Sequence, residues 1–301
     1  MLFINNIFFI ISCFFSMMFG NINNSDTSFV NWYIGALGGI SFKSNVCASQ
    51  QGVAYRYIGQ FFPCQTTPTD ENYNLYVNVK GKHHIKVGGM TGIRIGIYQN
   101  YLNFNCFNRL LIDPSFEVEG IYLGSKISGI LSNPILEPAV IRDDGIVSPS
   151  HSIPANKHQF CNTYNLGSGL LIFNTIFNIK NSINQIITPY IGIGIGFSFN
   201  TLYKANSDQI APCNEDVNHF NSDTKSISKK PCIQARLGIS ANKTDNFSVF
   251  IEYRYLYIAP TSYVFGNTYY PGHHPNTSKW NVSFKSMNFQ TLVLGFNYLF
   301  Q

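Results

Sequence analysis

Residues 188–200 read TPYIGIGIGFSFN. Pro189, Ile191, Ile193, Ile195, Phe197 and Phe199 fall at every second position, with Tyr190, Gly192, Gly194, Gly196 and Ser198 between them. Successive side chains of an extended strand point to opposite faces, so this spacing separates an apolar face from a small, polar one. A helix cannot separate these two sets. An apolar face turned to lipid and glycines turned to a crowded interior fit a membrane-spanning strand.

The same period recurs along the chain. Trp32, Ile34, Ala36, Ile40 and Phe42 share one face of a first strand, and Ile85, Val87, Ile93, Ile95 and Ile97 one face of a second. Phe116, Val118, Gly120 and Tyr122 oppose Glu117 and Glu119. Ile233, Ala235, Leu237, Ile239 and Ala241 oppose Gln234, Arg236 and Ser240. Val249, Ile251, Tyr253, Tyr255 and Tyr257 oppose Glu252 and Arg254, while Leu292, Leu294, Phe296, Tyr298 and Phe300 oppose Gly295 and Asn297. Residues 164–179 are apolar on both faces and complete the set.

This gives eight strands. Segments 43–84, 125–160, 201–230 and 259–284 between them are long and polar, whereas 98–109, 181–186 and 242–246 are shorter. Long connections on one side and short ones on the other predict an all-β fold, a single antiparallel transmembrane β-barrel with four long extracellular loops. Asn74–Val79 with Lys80-Gly81-Lys82 reads as a further hairpin, which either lengthens the strands above the membrane or raises the count to ten.

Composition agrees. Charged residues are 12% of the 301 and aromatic residues 15%, yet mean hydropathy is +0.00, so small polar residues dilute the apolar ones. That mixture suits strands with one greasy and one wet face. A membrane helix needs about 20 consecutive apolar residues, and the one apolar run, Ile7–Phe19, is shorter. It has the length of the apolar part of an export signal, which sets residues 1–20 as signal peptide and 21–301 as barrel. Six cysteines follow it. Cys47 and Cys64 share the first long loop and Cys213 and Cys232 bracket the third, so each pair is a candidate disulfide. No Cys-x-x-Cys exists to suggest a zinc ribbon or thiol redox site. Lys229-Lys230 is too small a basic cluster for nucleic acid.

Several segments resemble known families. The ending LVLGFNYLF is similar to the C-terminal strand by which outer-membrane barrels are recognised for assembly, although Gln301 follows Phe300 where the aromatic usually ends the chain. TPYIGIGIGFSF resembles the strand after a short turn in opacity-type and OmpA-type barrels. With IQARLGISA and FSVFIEYRYLY it also resembles the major surface antigens of tick-borne intracellular bacteria, mainly across 186–300. The resemblance implies a bacterial outer-membrane location with surface-exposed loops.

The charged residues carry the most information. Lys86, Arg94, Glu117, Glu119, Arg236, Glu252 and Arg254 each lie opposite the apolar stripe of their strand. Charge facing hydrocarbon costs about 2–4 kcal/mol for Arg or Lys at midplane, so these residues belong in the lumen. Paired, they form an ion network that plugs it; unpaired and wet, they line a channel. His83-His84 and His273-His274 read as exposed loop imidazoles, because neighbours on an extended chain point apart. His151-Ser152 and Asp143-Asp144 lack catalytic spacing. No catalytic, cofactor-binding or metal site is expected. The partners expected are outer-membrane lipid and, through the loops, host surface molecules or antibodies. The leading function is a surface antigen and envelope anchor. A porin passing small solutes is the alternative, and a soluble lipocalin-like barrel with its apolar faces inward is a third reading.

Overall fold

The computed structural model describes residues 30–57, 73–99, 104–106, 110–133, 139–141, 147–149, 158–181, 187–211, 214–244, 246–270 and 276–300. The strands begin with β1 (Val30–Ser41), β2 (Ser44–Tyr57), β3 (Tyr73–Ile85), β4 (Gly88–Gln99) and β5 (Phe104–Cys106). Next come β6 (Leu110–Asn133), β7 (Ala139–Ile141), β8 (Val147–Pro149), β9 (His158–Asn181) and β10 (Ile187–Ala211). Last are β11 (Ser226–Asn242), β12 (Phe247–Ile258), β13 (Thr261–Phe265), β14 (Trp280–Phe284) and β15 (Met287–Phe300). The expected export signal, residues 1–20, lies outside the described residues.

Among the described residues one sheet holds thirteen strands in the order β13-β14-β2-β3-β6-β4-β1-β15-β12-β11-β10-β9, with β5 beside β6. β7 and β8 form a separate hairpin. The path closes on itself because β6 also pairs with β9, from Leu110↔Asn181 to Asn133↔His158. β6 therefore has one edge against β9 and shares the other, pairing β4 along its first half and β3 along its second. Among the described residues closure leaves no open edge at membrane depth, where each unpaired backbone group would cost several kcal/mol.

The expected eight strands with four structureless loops is overturned by this sheet. Segments 43–84 and 259–284 hold β2, β3, β13 and β14, while β6, β9, β10 and β11 run far into 125–160 and 201–230. The strands bend where they were expected to end. Register is continuous across the gap between β1 and β2, with Ser41↔Gly88 below it and Ser44↔Ile85 above. Phe42 N–H donates to the Gln290 carbonyl at 2.8 Å and Lys285 N–H to the Cys47 carbonyl at 2.9 Å, carrying the ladder through the bends. The hairpin suggested by residues 74–82 is β3, the upward continuation of β4 paired with β2.

Alternation sets which side of the wall meets which solvent. Along β10 exposed and buried residues exchange at almost every step from Ile187 to Asn200. Ile193 is 63% exposed, Leu237 61% and Leu294 61%, all on the outer surface. Aromatic residues border this belt at its lower end, where Phe247 and Phe296 stack at 5.8 Å and Tyr298 meets Phe300 edge-on at 5.2 Å. Apolar faces point out and charges point in, the reverse of a soluble lipocalin-like barrel. One of the expected outward residues instead turns inward: Ile85 is fully buried, whereas Ile97 keeps the outward parity of Ile95, opposite Trp32, and is covered there to 4% exposure.

Ile193→Arg is expected to lower the unfolding free energy in phosphatidylcholine vesicles by about 2–4 kcal/mol. Ile210→Arg, outward on β10 but far above the belt, should leave it within about 0.5 kcal/mol of wild type. Urea titration in vesicles checks both, and equal losses would place the lipid boundary elsewhere.

Candidate functional site

Three arginines and three glutamates from four strands meet inside the barrel. β4 supplies Arg94, β6 Glu117 and Glu119, β11 Arg236, and β12 Glu252 and Arg254, and none is more than 4% exposed. Each stands at an inward position of its strand, two residues from the next inward side chain. Arg236 Nη1 lies 2.9 Å from Glu117 Oε1 and 3.4 Å from Glu119 Oε1. Arg254 Nη2 lies 2.6 Å from Glu119 Oε1 and also pairs with Glu252. Arg94 Nη1 reaches Glu117 at 3.4 Å, and its guanidinium sits 3.7 Å above the Phe250 ring. The six formal charges sum to zero.

Neutral side chains complete the cluster. Tyr33 donates to Glu117 at 2.9 Å and Tyr190 to Glu252 at 2.7 Å. Gln234 donates to Glu119 at 2.9 Å and to Asn174 Oδ1 at 2.6 Å, while Arg94 Nε donates to Asn297 at 2.8 Å. Glycines make room for these long side chains. A Cβ on Gly192, directly across the ladder from Arg236, would lie 2.6 Å from Ile176 Cδ1 and 3.4 Å from Arg236 Nε. One on Gly238, across from Glu252, would lie 2.6 Å from the Tyr190 hydroxyl. Arg236 Nε and Nη2 and Arg254 Nη1 donate to no protein acceptor among the described residues. Buried charge tolerates little further loss of partners, since removing one member of such a pair costs about 3–5 kcal/mol.

Of the charged residues predicted for the lumen, Lys86 does not join the cluster: it is exposed, in the bend between β3 and β4. Tyr33, Tyr190, Asn174, Gln234 and Asn297 were missed as members. Their parity with the charged residues was the available signal. Below the cluster, the mouth opens as a cavity of about 520 Å³ lined by Tyr98, Asp113, Asn178, Lys180 and Lys243. Lys180 pairs there with Asp113.

Above the cluster the interior is filled first by Leu37, Met90, Leu123, Leu170 and Val293, then by aromatic rings. Tyr164 stacks on Phe265 at 5.8 Å, Phe220 on Phe265 at 4.6 Å, and Phe284 meets Tyr164 edge-on at 5.7 Å. His83 is buried among them, 5.6 Å from Phe284 and 5.9 Å from Tyr164, with no hydrogen bond to either ring nitrogen among the described residues. Burial first, and the neighbouring His84 second, push its pKa down to about 4. The two imidazoles point apart, His84 outward to Asn45 Oδ1 at 2.6 Å.

Among the described residues no group of three or more His, Cys, Asp or Glu side chains is placed to hold a metal. His273-His274, Asp143-Asp144 and His151-Ser152 lie outside the described residues. So do Cys64 and Cys213, the expected partners of Cys47, which faces outward on β2, and of Cys232, which is buried on β11.

No family model matches the chain, and no curated protein matches it. Among solved structures it is similar to the outer membrane protein OprG from Pseudomonas aeruginosa, with 9% identity over 90% of this chain and 96% of that one, at a TM-score of 0.42. Neisserial surface protein A gives 12% identity over 89% and 96%, at a TM-score of 0.32. The outer membrane protease OmpT from Escherichia coli gives 8% over 93% and 100%, at 0.30. None of these scores carries an activity across. The geometry itself gives the coarse identity. A closed antiparallel wall with an outward apolar belt, aromatic borders and inward charges is an outer-membrane β-barrel.

Glu119→Gln removes the carboxylate shared by Arg236 and Arg254 and is expected to destabilise the barrel by about 3–5 kcal/mol. Adding Arg254→Met should recover part of that loss, because the remaining charges then balance better. Equilibrium unfolding of these two variants and of Arg254→Met alone measures the coupling, and simple additivity would show that the pair is not coupled.

For His83 the folded pKa of about 4 lies below its ordinary 6.5, so the folded state binds fewer protons between those values. Its neutral form is fully compatible with folding above about pH 6.5, and stability falls as pH drops towards about 4. The total is about 3 kcal/mol at 1.36 kcal/mol per pH unit. Compared with His83→Phe, wild type should lose that much more stability between about pH 7 and about pH 4. Parallel pH profiles would remove His83 from the account.

Proposed function

We propose that the chain is a non-catalytic surface barrel, a closed anchor in the outer membrane whose upper wall and connecting segments meet host surface molecules or antibodies. The observation that supports it is the filled interior. A charge-neutral ion network spans the barrel at membrane depth, and aliphatic and aromatic layers lie above it. A porin needs a wet path with unpaired charge along its wall; here the arginines and glutamates neutralise one another. The resemblance of 186–300 to surface antigens favours the same role. Export through residues 1–20, with a loop disulfide Cys47–Cys64, completes the proposal.

Purified barrel in planar bilayers is expected to give no sustained large conductance. Removing the plug with the double variant Arg236→Ala/Glu117→Ala should produce measurable current. Steady large channels from the wild type would promote the porin alternative instead.

A further inference from the structure

Lys43, Lys86 and Lys126 stand side by side on adjacent strands at the bends of the wall. Lys43 and Lys86 fall opposite each other between the paired rows Ser41↔Gly88 and Ser44↔Ile85. Lys86 N–H donates to the Lys126 carbonyl at 2.8 Å, which sets the third lysine against the second. All three side chains are exposed, and none forms an ion pair among the described residues. Like charges directly across a ladder repel and destabilise the sheet. Among the described residues nothing nearby offsets them. β1, β2, β3, β4, β14 and β15 contain no Asp or Glu, and the acids of β6, Asp113, Glu117 and Glu119, all point inward.

The height of the row indicates what neutralises it. Phe42 (40% exposed) and Val87 (63% exposed) precede Lys43 and follow Lys86 in sequence and end the outward apolar rows of β1 and β4. The next exposed pair upward is the polar Asn45 and His84. The ammonium groups therefore sit where hydrocarbon gives way to headgroups, facing sideways into the membrane interface and away from the loops. Long lysine stems can lie along the apolar border while their charges reach that interface. We propose that Lys43, Lys86 and Lys126 form a docking site for the phosphate of an anionic lipid headgroup. The proposal rests on the reading of the chain as a membrane barrel.

The test uses the full barrel refolded in vesicles of phosphatidylcholine with or without phosphatidylglycerol, with bound lipid then counted by native mass spectrometry. Wild type should retain phosphatidylglycerol in preference to phosphatidylcholine, and the preference should weaken with salt. At the contribution usual for a lysine near an anionic surface, the triple variant K43Q/K86Q/K126Q should bind phosphatidylglycerol about a hundred-fold more weakly. The variant K80Q/K82Q/K279Q, which removes exposed lysines higher on the wall, should bind as wild type does. If the triple variant does not fold, K86Q alone should still lose about five-fold. Equal binding by wild type and the triple variant, or equal loss in the control, overturns the site. Displacement of phosphatidylglycerol by an equal concentration of inorganic phosphate makes it a free-anion site and overturns the lipid assignment. Failure of the wild type to insert into phosphatidylcholine refutes the barrel reading itself; normal insertion without headgroup preference refutes only this proposal.

Discussion

Inside hydrocarbon, every backbone N–H and C=O must find its partner within the protein, and the pairing of β6 with β9 is where this chain meets that demand. β6 and β9, 24 residues each, are joined along their whole length. Without the seam the sheet would end in two open edges at membrane depth. Closure also dictates the split of β6 between β4 and β3. One strand spans the full height of the wall while its neighbour bends, so the lower barrel and its upward extension share a continuous ladder.

Closing the wall narrowly creates a second problem, because inward positions must be filled and any charge there balanced. Large inward side chains face glycines across the ladder, as Arg236 faces Gly192 and Glu252 faces Gly238. Arg236 and Arg254 are themselves direct cross-strand neighbours, an arrangement that repels unless a carboxylate stands between them. Glu119, reaching across from β6, is that carboxylate. The ion network is thus a consequence of packing charged strands into a small ring. It specifies which strands face one another more than it adds net stability.

Much of this was legible before the fold. The stripe in 188–200 names its own outer and inner faces, and the same reading of 233–241, 249–257 and 292–300 puts Arg236, Glu252, Arg254 and Asn297 on the interior side. What alternation cannot report is where it changes phase. Lys86 shares parity with Met90 and Arg94, which predicts a lumen position, but the bend between β3 and β4 exchanges the faces. Ile85 turns inward and Lys86 outward. The upper strands resemble loops in sequence for a related reason. Above the membrane no lipid enforces an apolar face, so β2 and β3 carry Ser, Asn, Gln and Lys on their outer side and lose the strand signature.

The same bends explain why the two ends of the interior differ. Below them, inward positions of β1, β4 and β15 hold Tyr33, Arg94 and Asn297; above them, inward positions of β3 and β14 hold His83, Trp280, Val282 and Phe284. On β10 the exchange of faces falls at Lys204, a non-glycine residue with φ of 49°, beside a register shift between Tyr203 and Asn206. An extra residue at such an irregularity re-aims every side chain beyond it. At membrane depth the outside must be apolar, which leaves polar residues for the inside. Above the membrane the outside is water, and the apolar residues turn inward to build an ordinary core. A wall that kept one parity throughout would have exposed Phe284 and Trp280 to water. The bends are therefore the structural answer to a barrel whose surroundings change from lipid to water partway along its strands.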